Sequence, residues 1–333
     1  MTYSTITGLG FYVPENIVTN QDLTQYMDTS DEWIRERTGI EQRRYFTYGK
    51  DTNASMAAAA SRMAIDRAGL QTADIELIVF ATITPDYFFP GSGFLMQREL
   101  GLEGIGVIDI RNQCSGFVYA LSIADQFIKT GMYKNVLVVG SEIQSTWINK
   151  SNQGRGVAVI FGDGAGAAVL QATDDPEHRV LSTHLHADGR YAEDLYVRDP
   201  GSSRPSRSAT KEMVDEGGFD VVMNGNAVFK HATVRFAEVI NEALKANGYG
   251  PEDIALLVPH QANIRISDYV RQQLKLPAEK VYNNIQRYGN TTAASIPIAL
   301  TEAWEQGRIQ PGDVVCLAAF GSGFTWASAL MKW

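Results

Sequence analysis

The chain has 333 residues and only two cysteines, Cys114 and Cys316. Two cysteines cannot build a disulfide framework, which excludes a stapled secreted scaffold and leaves a free thiol available for chemistry. It lacks any block of like charges. Lys and Arg number 29 against 38 Asp and Glu, a net charge of −9, whereas phosphate-binding surfaces need clustered cations. A nucleic-acid partner is therefore not expected. No apolar run approaches the roughly 18 residues that cross a bilayer. Met1–Val13 has neither a basic segment before an apolar run nor a small-residue cleavage site. No membrane association is expected, and the expected location is the cytoplasm. His184 and His186 alternate along one strand face without a Cys or third His at ligand spacing, while His178 and His231 have no visible partner, so no metal is expected. No Gly-x-Gly-x-x-Gly opens a helix and no Gly-Lys-Ser/Thr occurs, which removes the common nucleotide signatures.

What is present is an ordinary globular mixture, 44% hydrophobic and 20% charged, long enough for one large α/β domain or two fused halves. An internal repeat favours the second. Ala64–Gly69 ends a helix before the strand Asp74–Val79, and Ala243–Gly248 precedes Asp253–Val258 in the same way, each pair 179 positions apart. Ala120-Leu121 and Ala299-Leu300 share that offset, as do Val136–Val139 and Val315–Ala318. A period this long is no solenoid unit. It predicts two similar halves, residues 1–172 and 173–333, packed about a pseudo-twofold axis. Each alternates apolar strands with amphipathic helices, the pattern of a sheet covered on both faces. Extra sequence at Ser141–Ile160 and a polar Pro200–Gly218 segment, read as a long surface loop, either caps a site or is simply tolerated.

Three residues stand where chemistry is easiest. Cys114 follows the strand Val107–Ile110 through a polar turn and starts a helix, where unpaired backbone N–H groups and the helix dipole favour the thiolate. A buried structural cysteine is the other reading, and Cys316, mid-strand in Val314–Ala318, fits it. His260 follows the strand Leu256–Val258, at the strand end where α/β folds gather ligands and catalytic groups. Asn290 lies where Tyr288–Thr291 enters a helix, a position that also suits a cap. Cys114 maps to Ala293 at the same offset, so symmetry brings both helix starts, and with them His260 and Asn290, to one axis.

In this setting the chain resembles the β-ketoacyl-acyl carrier protein synthase III family of thiolase-like condensing enzymes. The resemblance runs along the whole chain, through Asp28–Ile34, Arg37–Ile40, Cys114–Phe117, Phe161–Ala167, Pro259–Asn263, Tyr288–Thr291 and Phe320–Trp326. It implies the doubled thiolase fold, an α-β-α-β-α layering with mixed five-stranded sheets. It also implies a Cys114–His260–Asn290 triad, and an oxyanion hole from the Cys114 and Ser322 backbone. Cys114 would take an acyl group from a short acyl-coenzyme A, and malonyl on acyl carrier protein would decarboxylate and attack it, initiating fatty acid synthesis. No cofactor is needed beyond coenzyme A as substrate.

The resemblance further implies coenzyme A contacts at Thr29, Trp33, Arg37, Arg155, Gly225, Asn263 and Arg265. It implies an acyl pocket lined by Phe320 and by Phe89 crossing a homodimer interface, and carrier-protein contacts at Lys230, Arg265 and Arg271. Three features depart from the pattern: Asp109–Gln113 in place of a small-residue run, Ser322 where Gly is usual, and Gln272-Gln273 where a basic pair commonly stands. These are similar to relatives in specialised metabolism, and the alternative reading is a quinolone, resorcinol or polyketide starter enzyme with a different donor. A degradative thiolase would want a second reactive Cys in a Gly-rich loop. A non-catalytic acyl-binding subunit is opposed by the intact triad.

Overall fold

The structure, a computed structural model, describes residues 2–204 and 208–333. The first sheet contains β1 (Tyr3–Tyr12), β2 (Leu77–Ala81), β3 (Gly106–Ile110), β4 (Asn135–Glu142) and β5 (Gly164–Thr173), in the order β1-β5-β4-β2-β3. The second contains β6 (Arg179–Ala187), β7 (Ile254–Pro259), β8 (Val314–Gly321) and β9 (Thr325–Lys332), in the order β7-β8-β9-β6. Pairing senses match. β1 and β4 flank β5 antiparallel while β4-β2-β3 run parallel. β6 and β8 flank β9 antiparallel while β8-β7 run parallel.

The expected fifth strand of the second sheet is not formed. Its trace is a single parallel bridge between Leu257 and Val281, with the Tyr282 N–H donating to the Leu257 carbonyl at 2.9 Å. The residues equivalent to β3 coil instead into the turn Ile285–Tyr288. Side-chain bonding explains the change. The Gln261 carbonyl oxygen accepts the Asn284 and Ile285 N–H groups at 3.0 and 3.2 Å, which removes them from any ladder.

The helices include α1 (Asp31–Thr38), α2 (Asn53–Arg67), α3 (Gly116–Lys129), α4 (Gly225–Ala246), α5 (Ile264–Gln273) and α6 (Ser295–Glu305). α3 and α6 lie between the sheets. Phe117, Leu121, Ala299 and Leu300 share one core with Val79 and Val138 of the first sheet and Val258 and Leu317 of the second. α6 is buried from Ser295 to Ala303 on every side, as a helix sandwiched between two sheets must be. α2 covers the outer face of the first sheet, and α4 and α5 that of the second. Each large side chain fully buried here contributes about 1.5–3 kcal/mol. That packing holds the starts of α3 and α6 side by side.

Within Pro200–Gly218, residues 205–207 lie outside the described residues. The rest is more than a loop: it contains the helix Lys211–Asp215, and the buried Asp199 carboxylate beside it pairs with Arg198 and Arg204. No helix among the described residues is long and apolar enough to cross a membrane.

Candidate active site

A short 3₁₀ turn precedes each central helix, Gln113–Ser115 before α3 and Thr292–Ala294 before α6. The helix expected to begin at Cys114 therefore begins at Gly116, with Cys114 in the turn. Gln113 and Thr292 open these turns at φ values of 45° and 51°, a left-handed conformation that non-glycine residues adopt only when their surroundings hold it. For Thr292 the holders are visible. Its N–H donates to the Asn290 side-chain oxygen at 2.8 Å, and its hydroxyl accepts Gln144 Nε2 at 2.8 Å.

Each turn packs closely against a glycine of a neighbouring strand. A Cβ on Gly140, in β4, would lie 2.4 Å from the Ala293 carbonyl oxygen. One on Gly321, at the end of β8, would lie 2.7 Å from the Cys114 Cβ. Only glycine admits these approaches. The second brings the Ser322 N–H to the Cys114 sulfur, which it shares with the N–H of Cys114 itself.

The Cys114 side chain is buried, and burial pushes its thiol up to about 12; the Glu142 carboxylate adds to the rise and the two backbone N–H groups oppose it. The expectation of a ready thiolate is thus reversed for the free protein. The turn does supply donors, but desolvation and a neighbouring negative charge outweigh them.

His260 leaves β7 with its N–H on the Ala318 carbonyl at 2.8 Å. Its Nδ1 lies 2.6 Å from the hydroxyl of Ser295, the first residue of α6. The Ser295 oxygen accepts the Gln261 N–H at 3.4 Å, and a Ser295 hydroxyl that gives its proton to Nδ1 leaves the hydrogen of the neutral ring on Nε2. Burial lowers the imidazole pKa to about 3, so the ring is neutral across the physiological range. Nε2 is buried and has no hydrogen-bond partner among the described residues. Asn290 is clamped to the first half: its N–H donates to the Ile160 carbonyl at 2.9 Å and its carbonyl accepts the Gly162 N–H at 3.0 Å. With its side-chain oxygen on Thr292, the Asn290 amide nitrogen remains as the free donor.

Four of the coenzyme A residues implied by the resemblance, Trp33, Arg37, Arg155 and Asn263, are linked. Arg37 and Arg155 each place a guanidinium over the Trp33 indole, at 4.5 and 4.7 Å from its centre, and Arg155 Nη1 donates to the Asp28 carbonyl at 2.6 Å. Asn263 caps α5 and donates from Nδ2 to the Arg37 carbonyl at 2.9 Å; Arg265, next along, sits 5.8 Å over the Phe229 ring. The Thr29 hydroxyl is buried without a partner among the described residues, and Gly225, the first residue of α4, has open space where a Cβ would point. Lys230 and Arg265 are exposed. Arg271 is spent on its own surroundings, donating to the Leu276 carbonyl at 3.3 Å and lying 3.6 Å from Asp268. Phe89 is 79% exposed beside Tyr87 and Phe88, whereas Phe320 is buried with its ring 4.9 Å from that of Phe324. Cys316 is buried in β8. Among the described residues no group of three His, Cys, Asp or Glu side chains could hold a metal ion.

Two residues of the site were not singled out from sequence. Ser295 orients His260, and Glu142 faces the Ala293 N–H. The available signal for Glu142 was a charge ending the apolar run Val136–Val139. The unusual Ser322 also has a role, its hydroxyl donating to the Leu195 carbonyl.

Residues 108–189 match the model of the 3-oxoacyl-[acyl-carrier-protein] synthase III family, and residues 244–333 match the model of its C-terminal region. The chain is 46% identical to the β-ketoacyl-[acyl-carrier-protein] synthase III of Roseiflexus sp. strain RS-1, over 99% of this chain and 98% of that one. It is also 46% identical to that of Rhodospirillum centenum, over 99% of both. Its structure superposes on the crystal structure of 3-oxoacyl-[acyl-carrier-protein] synthase III from Aquifex aeolicus with a TM-score of 0.90, at 41% identity, covering 99% of this chain and 100% of that one. A priming β-ketosynthase of the R1128 polyketide pathway superposes with a TM-score of 0.89 at 32% identity, covering 99% of this chain and 96% of that one.

Proposed function

The chain belongs to the β-ketoacyl-[acyl-carrier-protein] synthase III family, and we propose that Cys114, His260 and Asn290 carry its reaction. That reaction is the condensation that initiates fatty acid synthesis, joining a short acyl primer from coenzyme A to malonyl-acyl carrier protein. The Cys114 sulfur attacks the thioester carbonyl of the acyl-coenzyme A. The negative charge developing on that oxygen is met by the N–H groups of Cys114 and Ser322. The carbon–sulfur bond to coenzyme A breaks, and the proton from Cys114 ends on the departing thiol.

Malonyl-acyl carrier protein then loses carbon dioxide, and its electron pair passes to the thioester oxygen as an enolate. His260 Nε2–H and the Asn290 side-chain N–H are the neutral donors for that oxygen. Neutrality matters. A buried imidazolium would be costly to hold, whereas a fixed N–H in a dry site stabilises the enolate with little reorganisation. The enolate carbon attacks the acyl group, Cys114 leaves as a thiolate and takes up a proton from solvent, and β-ketoacyl-carrier protein departs.

Trp33, Arg37 and Arg155 face the adenine and phosphates, an indole and guanidinium being a natural pair for a base. Thr29, Gly225, Asn263 and Arg265 line the approach, and Lys230 and Arg265 meet the acidic carrier protein. The exposed Phe89 reaches the acyl pocket of a second copy in a homodimer, each copy divided into halves at residues 172 and 173. Coenzyme A enters as substrate, with no metal.

The observation that carries this reading is the buried Cys114 with the N–H groups of its own turn and of Ser322 facing its sulfur, beside a neutral His260 whose Nε2 has no partner among the described residues. Intact-protein mass spectrometry after incubation with acetyl-, octanoyl- and aromatic acyl-coenzyme A tests it. One acyl adduct, mapped to Cys114 and formed fastest from a short donor, is expected. An adduct formed only from long or aromatic donors would move the chain to a specialised pathway, and no adduct would overturn the proposal.

A further inference from the structure

Glu142 is the last residue of β4 and is wholly buried. Its carboxylate accepts the Thr84 hydroxyl at 2.6 Å, the Thr82 hydroxyl at 3.2 Å and the Ile83 N–H at 3.2 and 3.3 Å, and the Ala293 N–H faces it. No Lys or Arg among the described residues forms an ion pair with it. The donors come from places remote in sequence. Residues 82–84 follow β2 and lead to Asp86, whose carboxylate caps α2 at the Asn53 and Ala54 N–H groups, and then to Phe89. Ala293 is the pseudo-symmetric counterpart of Cys114. One side chain therefore ties the root of the Phe89 loop to the turn beside Asn290, while its charge acts on the Cys114 sulfur.

We propose that Glu142 is a positioning residue that braces the Thr292–Ala294 turn and, through its own ionisation, sets how readily Cys114 becomes a nucleophile. The surroundings contain no charge to cancel it. The titratable groups on the elements around it are Cys114, Asp86, Asp163 ahead of β5, and His260 through Ser295. The Asp163 carboxylate is occupied by Ser145 and the Phe46 N–H, Asp86 by the α2 cap, and His260 is neutral. An ionised Glu142 therefore disfavours the thiolate, and a protonated one removes that obstacle. Burial raises the Glu142 carboxyl to about 7, against the pull of its donors, so the change falls within the working range of pH.

The inference rests on Cys114 as the acylated residue, but its test does not need acyl transfer. The rate of Cys114 alkylation by iodoacetamide, read by intact mass between pH 5.5 and 9.5, should rise about tenfold per pH unit below about 7. It should then flatten as Glu142 ionises and rise again later. Glu142→Gln removes the charge and keeps the shape, so its profile should climb without a break and run roughly tenfold above wild type at pH 9. Thr84→Val removes one donor to the carboxylate while keeping the charge, and should move the break to higher pH. An unbroken wild-type profile, or a break that persists in Glu142→Gln, overturns the inference. Should that variant fail to fold, an unmoved break in Thr84→Val does the same. If Cys114 were not the acylated residue, acyl-coenzyme A would leave no mass on it while the alkylation profile kept its shape.

Discussion

The turns Gln113–Ser115 and Thr292–Ala294 occupy equivalent places in the two halves. Each opens on a non-glycine residue at positive φ, and each feeds a helix buried between the sheets. Their surroundings differ. The Cys114 N–H and the N–H of Ser322, the residue after β8, both face the Cys114 sulfur, whereas the Ala293 N–H faces Glu142. One turn keeps its donors for the thiol we propose as the nucleophile, and the other anchors Asn290 and, through Ser295, His260. A shared backbone thus yields two chemistries because different side chains claim its amides.

Cys114→Ala breaks the comparison most severely by making the turns alike. We expect no acyl mass from acyl-coenzyme A and a fall in condensation of at least about 10³-fold, read by product formation from malonyl-acyl carrier protein. Asn290→Ala acts on the other turn. It should slow condensation by roughly 10²–10³-fold, the cost of one donor to a developing oxyanion. The rate of Cys114 acylation should stay within a few-fold of wild type. Equal losses in both stages would show that the two turns do not divide the work.

Ser295→Ala tests the link between α6 and His260. Losing the 2.6 Å bond frees the ring to change tautomer, and the condensation rate should drop roughly tenfold, the worth of one buried hydrogen bond. His260 also predicts an acid response. Its pKa is about 3 when folded against an ordinary 6.5, so the unfolded chain binds the extra proton first. That contribution to stability is complete above pH 6.5 and is lost as pH falls towards 3. Thermal melts at pH 7 and pH 4 should therefore differ less for His260→Asn than for wild type.

Much of this comparison was legible in the sequence, since the 179-residue offset already paired Cys114 with Ala293 and placed Asn290 beside the second turn. His260 was legible as a polar residue ending an apolar strand. Glu142 was not, although it also ends one. A charge there reads as the solvent end of a strand, and its burial depends on donors at positions 82–84 and 293 that only the folded chain assembles. The resting thiol was misjudged for the same reason. Turn geometry is local and readable, but desolvation of the Cys114 sulfur is set by the packing of both halves. The missing edge strand likewise turned on Gln261, whose side chain satisfies the backbone of Asn284 and Ile285.

The smallest effect on activity is expected from Ala293→Cys, which places a second thiol on the equivalent turn. Ala293 is buried, and its Cβ lies 3.3 Å from where a Gly116 side chain would start, so the added sulfur has little room. Overpacking of this kind costs about 1–3 kcal/mol, visible as a lower melting temperature. Condensation should stay within a few-fold of wild type, and acyl-coenzyme A should still add a single acyl group. The new thiol would stand where Glu142 already holds the turn's N–H, with no counterpart to Ser322 offered to its sulfur. A second acyl group on position 293 would mean that the turn alone makes a nucleophile, and that the claims laid on its amides by Glu142 and Ser322 decide nothing.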